Sequence, residues 1–230
     1  MFDLWKKDRE LGSISIQPRL ASWDSASHPA QIRLQAYLDE VEGALGPRLT
    51  GHRRCYLSME IGLPEEIDIL RHHDLENYMT PLALRLPGRT ICLASAVKRV
   101  GGQSRISVGT VVPLNQPPGE WRQASVYCTG SYEKKEWKDR LRNSILSQKV
   151  ESGHAGPLEM HTMWRCDATR RSWIYLWKPT GDALGPIVGE PNPSRPFNPA
   201  DDRIVSLDLH LTDDDRAGYD VEVGVWWRQH

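Results

Sequence analysis

Arg71-His72-His73-Asp74-Leu75-Glu76-Asn77-Tyr78-Met79-Thr80-Pro81-Leu82-Ala83-Leu84-Arg85-Leu86 is the stretch whose reading decides the fold. Just upstream, Cys55 to Leu63 alternates in the manner of a strand and stops at Pro64. A cluster of groups able to bind protons or metal follows: His72, His73, Asp74, Glu76 and Asn77. Tyr78, Leu82 and Leu86 then recur at helical spacing, so the acids stand where a loop enters a helix beside a strand. Two carboxylates two residues apart suit a hard divalent cation, which takes one or two carboxylate oxygens and keeps several waters. The plainer reading is capping: an acid at the N-cap and another in the first turn complement the helix dipole without a metal.

Outward from that stretch, composition sets bounds. The 230 residues are 39% hydrophobic and 26% charged, as in a globular protein of one large or two smaller domains. No apolar run reaches the ~20 residues of a membrane span, and Met1 to Glu10 is too charged to form a signal core, so the expected location is the cytoplasm. Cys55, Cys92, Cys128 and Cys166 form no C-x-x-C pair and read as reduced, buried thiols. Net charge is −1, with +1 in residues 1–115 and −2 in 116–230. A surface for nucleic acid therefore has to be a local patch.

The order of elements repeats. Residues 1–30 read as irregular apart from a short strand near Ser13 to Ile16, with Trp23 anchoring the segment. Ala30 to Leu45 reads as a helix with Ile32, Leu34, Tyr37, Leu38, Val41 and Leu45 on its apolar stripe, closed by Gly46-Pro47. After the strand and the opening motif, which Gly88 ends, Thr90 to Val97 and Ser104 to Val112 read as a hairpin around Gly101-Gly102. Asn115 to Gly119 reads as a linker. Beyond it come a helix (Glu133 to Ser147), a strand (Leu158 to Trp164), a second motif (Ser172 to Leu184) and two β-rich runs, Arg203 to Leu211 and Tyr219 to Trp227. Aligned, the motifs set Thr80-Pro81 against Lys178-Pro179 and Leu86 against Leu184. This pattern predicts an α+β fold built from an internal duplication, with units 1–115 and 116–230.

Strand, D-x-D-N, helix, lysine, D-A-L and D-D before a strand pair together resemble the RusA-type Holliday-junction resolvases. Here that pattern is divided between the halves. The first half has Asp74-Leu75-Glu76-Asn77, with Thr80 at the lysine position and Leu84 at the later acid. The second has Ser172, Ile174 and Tyr175 across D-x-D-N but keeps Lys178, Asp182-Ala183-Leu184 and Asp201-Asp202. The resemblance implies two tandem RusA-like repeats forming a pseudo-dimer within one chain, so that a monomer suffices. It also implies a Mg²⁺- or Mn²⁺-dependent endonuclease acting on branched or double-stranded DNA. Asp74, Glu76 and Asp202 would hold the metal, and Lys178 would stabilise charge on the phosphate or leaving oxygen. His72, His73, Asn77, Asp182 and Asp201 are secondary candidates. The alternatives are a DNA-binding protein whose two sites have both decayed, and a protein-interaction module in a phage or mobile-element setting.

Basic residues near the motifs are candidates for phosphate contacts: Arg165, Arg170 and Arg171 before the second, Arg85 and Arg89 after the start of the first. Asp201-Asp202 also suits an ordinary turn, and Pro179 biases Lys178 toward extended backbone. Seven of the nine tryptophans lie from Trp121 onward. The alternating Trp173, Tyr175 and Trp177 read as a buried strand in preference to a base-stacking platform.

Overall fold

The computed structural model describes residues 2–21, 24–87, 90–148, 156–192 and 194–230. Trp23, Gly88 and Arg89 lie outside them. The chain is α+β, with helices on a mixed sheet of eight strands. In the first half, β1 (Leu4–Ile14), α1 (Pro29–Leu45), β2 (Cys55–Leu63), α2 (Leu75–Arg85), β3 (Ile91–Val100) and β4 (Arg105–Leu114) follow one another. The second half runs β5 (Arg122–Cys128), α3 (Lys135–Ser147), β6 (Leu158–Cys166), α4 (Trp177–Ala183), the four-residue α5 (Gly185–Val188), β7 (Ile204–Asp213) and β8 (Val221–Gln229). The expected boundary at residues 115 and 116 falls in the connection between β4 and β5.

Across the sheet the order is β1-β4-β2-β3-β7-β6-β8-β5. Counted outward from the centre, both halves therefore place their third, second, fourth and first strands in the same sequence. The pairing senses agree too: β2–β3 and β6–β7 are parallel, while β2–β4, β6–β8, β1–β4 and β5–β8 are antiparallel. Each parallel ladder carries a register shift after its first pair, at Cys55 and at Leu158. The central β3–β7 ladder is antiparallel and symmetric about Ser95 opposite Asp208, with Leu93 facing His210 on one side and Val97 facing Ser206 on the other. One continuous sheet thus spans both units.

The expected hairpin does not form, because β2 lies between β3 and β4. β2 is buried along almost its whole length, which suits a central strand and not an edge. The Gly101-Gly102 turn, with φ of 73° and 81°, arches over the end of β2, where Gly101 donates its N–H to the Leu63 carbonyl at 2.8 Å. A Cβ on Gly62 would lie 2.3 Å from the Gly102 oxygen, so this crossing requires glycine there. β6 separates β7 from β8 in the same way.

Other expectations change as well. The start of the chain is not irregular: Leu4 to Ile14 is an edge strand whose Lys, Asp, Arg and Glu side chains face solvent. Charges on an edge blunt pairing with other chains, and they also hide the strand from an apolar pattern. The Trp173 to Trp177 run is not a strand but a 3₁₀ turn (Trp173–Leu176) leading into α4. Trp173, Ile174, Leu176 and Trp177 are buried while Tyr175 is exposed, and Trp173 packs edge-to-face between Trp164 and Trp177. Ile32, placed on the apolar stripe of α1, is exposed, whereas Leu34, Tyr37, Leu38, Val41 and Leu45 are buried as expected.

α2 and α4 cover the sheet face that carries Lys98 and Trp164; the Trp164 indole donates to the Thr180 hydroxyl of α4 at 3.1 Å. Pro81 sits inside α2 and cannot donate to the Asn77 carbonyl one turn back. The Ala21 N–H bonds that carbonyl instead at 3.0 Å, so the helix passes through the proline with its backbone satisfied. Lys178 and Pro179 likewise lie in the first turn of α4, where proline is tolerated, and not in extended backbone. All four cysteines are buried thiols.

Candidate active site

Asp74 stands at the N-cap of α2, but its carboxylate makes no cap hydrogen bond to the helix backbone. It accepts instead from the Asn77 side-chain amide at 2.9 Å, which fixes its orientation. The capping account of this acid therefore fails at the level of side-chain contacts. Glu76, in the first turn of the helix, is buried although charged residues there ordinarily face water. Asp201 arrives from the other half, in the 3₁₀ turn Asp201–Arg203 that leads into β7. Asp74, Glu76 and Asp201 each offer a carboxylate oxygen, and these oxygens lie within 4.8 Å of one another.

Lys178, from α4, serves these acids as a shared cation. Its Nζ lies 3.2 Å from Glu76, 3.3 Å from Asp182 and 3.8 Å from Asp201. Asp182 is shared with Lys138 of α3 at 3.2 Å. Asp202, expected from the sequence beside Asp74 and Glu76, lies outside this group; the carboxylate oxygen within reach of both is that of Asp201. Asp202 turns the other way: its carboxylate accepts the His72 N–H at 3.3 Å. His72 itself adopts a left-handed φ of 62°, so the loop before α2 is shaped around this contact between halves.

Lys98, one of the basic residues that follow the first motif, has a role that the sequence did not signal. It is 2% exposed at the inner end of β3 and donates to the His73 carbonyl at 2.7 Å and to the Asp202 carbonyl. One ammonium thus ties the loop before α2 to the turn before β7, the two segments that deliver Asp74 and Asp201. A lysine facing the helix-covered side of a central strand is the only sequence signal for it, legible once the strand faces are assigned. His73 bonds the Tyr78 hydroxyl through Nδ1 at 2.7 Å and does not enter the acid cluster.

The electrostatics follow from crowding. Burial, with the neighbouring charges of Glu76 and Asp74, raises the Asp201 carboxyl to about 8 against the partial relief given by Lys178. Burial also raises Glu76; Lys178 opposes that shift and Asp74 adds to it. For Lys178 burial works against the ammonium, yet Glu76, Asp201 and Asp182 outweigh it and raise its pKa. Lys98 falls to about 8, because desolvation outweighs the favourable charges of Asp74, Asp202, Asp201 and Glu76. His73 is lowered by burial, then by Lys98 and His72. Three carboxylates with more negative charge than one lysine neutralises form the kind of oxygen-donor set that takes a divalent cation.

Of the basic candidates, Arg170 bonds the buried Asp167 at 2.9 Å and stacks on Tyr219, with its guanidinium carbon 5.4 Å from the ring centre. Arg171 donates to the Tyr219 carbonyl at 2.6 Å and lies over the rings of Tyr132 and Tyr219. Arg165 pairs with Glu222 at 3.0 Å, and Arg85 is held against α1 by Asp39 and Glu42.

A second group with metal-ligating atoms, His161, Asp208 and His210, lies on the opposite face of the sheet. Its hydrogen bonding speaks against an ion. The Trp5 N–H donates to His210 Nδ1 at 3.2 Å, which leaves the proton on Nε2 and directs it to His161 Nδ1 at 3.0 Å. The Nε2 lone pair that a metal needs is therefore absent.

No family model and no curated protein matches the chain. Among solved structures, a chain described as "Cyanuric acid hydrolase: evolutionary innovation by structural concatenation" is similar over 94% of this chain and 68% of its own, at 10% identity and a TM-score of 0.19. A likeness of that size carries no argument about fold or activity.

Proposed function

We propose that this protein is a divalent-metal-dependent endonuclease of RusA-like type acting on branched or structured DNA, built from two tandem RusA-like repeats that form a pseudo-dimer in one chain. One observation carries the reading: the half-motif Asp74-Glu76 and the complementary half-motif Lys178-Asp201 meet in a single cluster, although they lie more than a hundred positions apart. Neither half holds the full set by itself.

In this reading Asp74, Glu76 and Asp201 would hold Mg²⁺ or Mn²⁺. When bound, such an ion would polarise a phosphate and lower the pKa of a water so that hydroxide is available as the nucleophile. Asn77 orients Asp74, and Lys98 holds the two loops at the spacing that the cluster needs. Lys178 balances the acids before DNA arrives and offers its ammonium to the phosphate afterwards. Arg170 and Arg171 contact the backbone farther out, a salt-dependent contribution.

The test is Mn²⁺-dependent cleavage of a synthetic four-way junction. Cutting should be lost in Asp74→Ala and Asp201→Ala and should persist in Tyr127→Ala, whose side chain is exposed and pairs with Asp220. Junction binding without cleavage in either metal would favour the DNA-binding reading with decayed chemistry. No binding to branched, double- or single-stranded DNA at low salt would defeat both.

A further inference from the structure

The motif alignment pairs Asp74 with Ser172, Glu76 with Ile174, Asn77 with Tyr175, Lys178 with Thr80 and Asp182 with Leu84. If the halves are related by the symmetry of the central ladder, a second composite site should lie at Ser172, Ile174, Thr80 and Leu84. A hollow of about 390 Å³ is found there, lined by Ala83, Leu84, Arg170, Arg171, Ser172, Ile174 and Tyr175 among others. Its chemistry differs in each respect that matters for cutting. The positions that match Asp74 and Glu76 hold the neutral residues Ser172 and Ile174. Thr80, at the lysine position, turns its hydroxyl back to the Glu76 carbonyl at 2.7 Å. The nearby carboxylate, Asp167, is buried and occupied by Arg170 and Thr169.

The polar lining of the hollow is instead cationic and aromatic. Arg170 and Arg171 line this hollow and a second one of about 530 Å³ that adjoins it through Ser172 and Tyr175. Arg171 Nη1 is buried with no hydrogen-bond partner among the described residues. Tyr175 and Tyr219 are 51% and 64% exposed, with the guanidinia stacked on Tyr219. Exposed aromatic rings beside arginines take bases on their faces and phosphates on their cations.

We propose that this hollow is the two-fold mate of the acidic cluster and has become a holding site for a second DNA strand, so that the protein nicks one strand of a branched substrate and does not cut two symmetrically. The inference rests on the nuclease reading and adds to it the outcome of the reaction and the role of the mate site. A single centre can hydrolyse one phosphodiester per binding event. The mate site binds the strand related to it by symmetry and leaves that strand's bonds intact.

The assay uses the whole chain, Mn²⁺ and a supercoiled plasmid that extrudes a cruciform. One nick releases the supercoiling and the cruciform is reabsorbed, giving nicked circles, whereas paired cuts within one binding event give linear plasmid. Nicked circles as the main product are expected; linear product as the main outcome overturns the inference while leaving the nuclease reading intact. In parallel, affinity for a fluorescein-labelled four-way junction is measured without metal for Arg171→Ala and Tyr175→Ala. Tyr175 is surface-exposed, so its variant keeps the test valid if Arg171→Ala fails to fold. Each should weaken binding roughly tenfold or more, and Arg171→Ala should lower the slope of log affinity against log salt by about one. Unchanged affinity in Tyr175→Ala and in folded Arg171→Ala overturns the inference alone. No junction binding by the unaltered protein overturns the nuclease reading and the inference together.

Discussion

Replacing Lys178 by Met removes the cation that three carboxylates share while keeping the length of the aliphatic stem. Breaking a buried ion pair commonly costs ~3–5 kcal/mol because the remaining charge is stranded. Lys178 is 46% exposed and Asp182 keeps Lys138 at 3.2 Å, so solvent and a second cation reduce the effect. The expected loss is about 2 kcal/mol at alkaline pH. Its sign with pH follows from Glu76 and Asp201, both of which have raised pKa values in the fold, Asp201 at about 8 against an ordinary 3.8. A carboxyl raised in this way makes the folded state bind more protons than the unfolded one. Its favourable contribution is full below the unfolded pKa and is lost as pH rises through the folded value. Without Lys178 both folded values rise further. The deficit of Lys178→Met should thus be largest above about pH 8 and should shrink toward pH 5. Urea denaturation of both proteins at several pH values measures this, and Mg²⁺ at alkaline pH should restore the variant more than the unaltered protein. A deficit that is absent at alkaline pH, or constant with pH, refutes the reasoning.

Further outcomes follow from other contacts. Lys98→Met orphans the His73 and Asp202 carbonyls; a loss of ~2–4 kcal/mol in denaturant midpoints is expected, together with weaker Mn²⁺ affinity at Asp74 and Asp201. His210, fully buried with its pKa lowered to about 3, resists protonation that the unfolded chain accepts below 6.5, so stability falls with pH in that window by ~1.4 kcal/mol per unit. His210→Asn keeps an acceptor for the Trp5 N–H but cannot titrate; its stability relative to the unaltered protein should improve by about 2 kcal/mol between neutral pH and pH 5, and no change in that difference would count against the assignment. Asn77→Ala frees the Asp74 carboxylate from its amide partner at 2.9 Å, and metal affinity, read by calorimetry, should fall by roughly 10-fold.

Periodicity made α1 and α3 legible, since each buries one stripe against the sheet. The strand faces of β2 and β6 were also readable. Strand adjacency was not: the runs around Gly101-Gly102 have the local pattern of a hairpin, and only competition from the more buried β2 decides that they part. The second motif misled because Trp173 to Trp177 is apolar at almost every position, a pattern that periodicity cannot assign to strand or helix. The acids of the site were visible as a divided motif. Which of Asp201 and Asp202 faces the cluster depends on a 3₁₀ turn that the sequence does not encode locally. Lys98 was hidden because a charged residue near the end of a strand ordinarily reaches solvent, whereas this one is covered by the meeting of two loops.

The central claim is a single metal centre assembled from both halves, and the most direct measurement is Mn²⁺ binding followed by electron paramagnetic resonance. The account predicts saturable binding that is lost in Asp74→Asn, Glu76→Gln and Asp201→Asn and retained in Asp202→Asn. Binding that survives Asp201→Asn, or that depends on Asp202 instead, would contradict it.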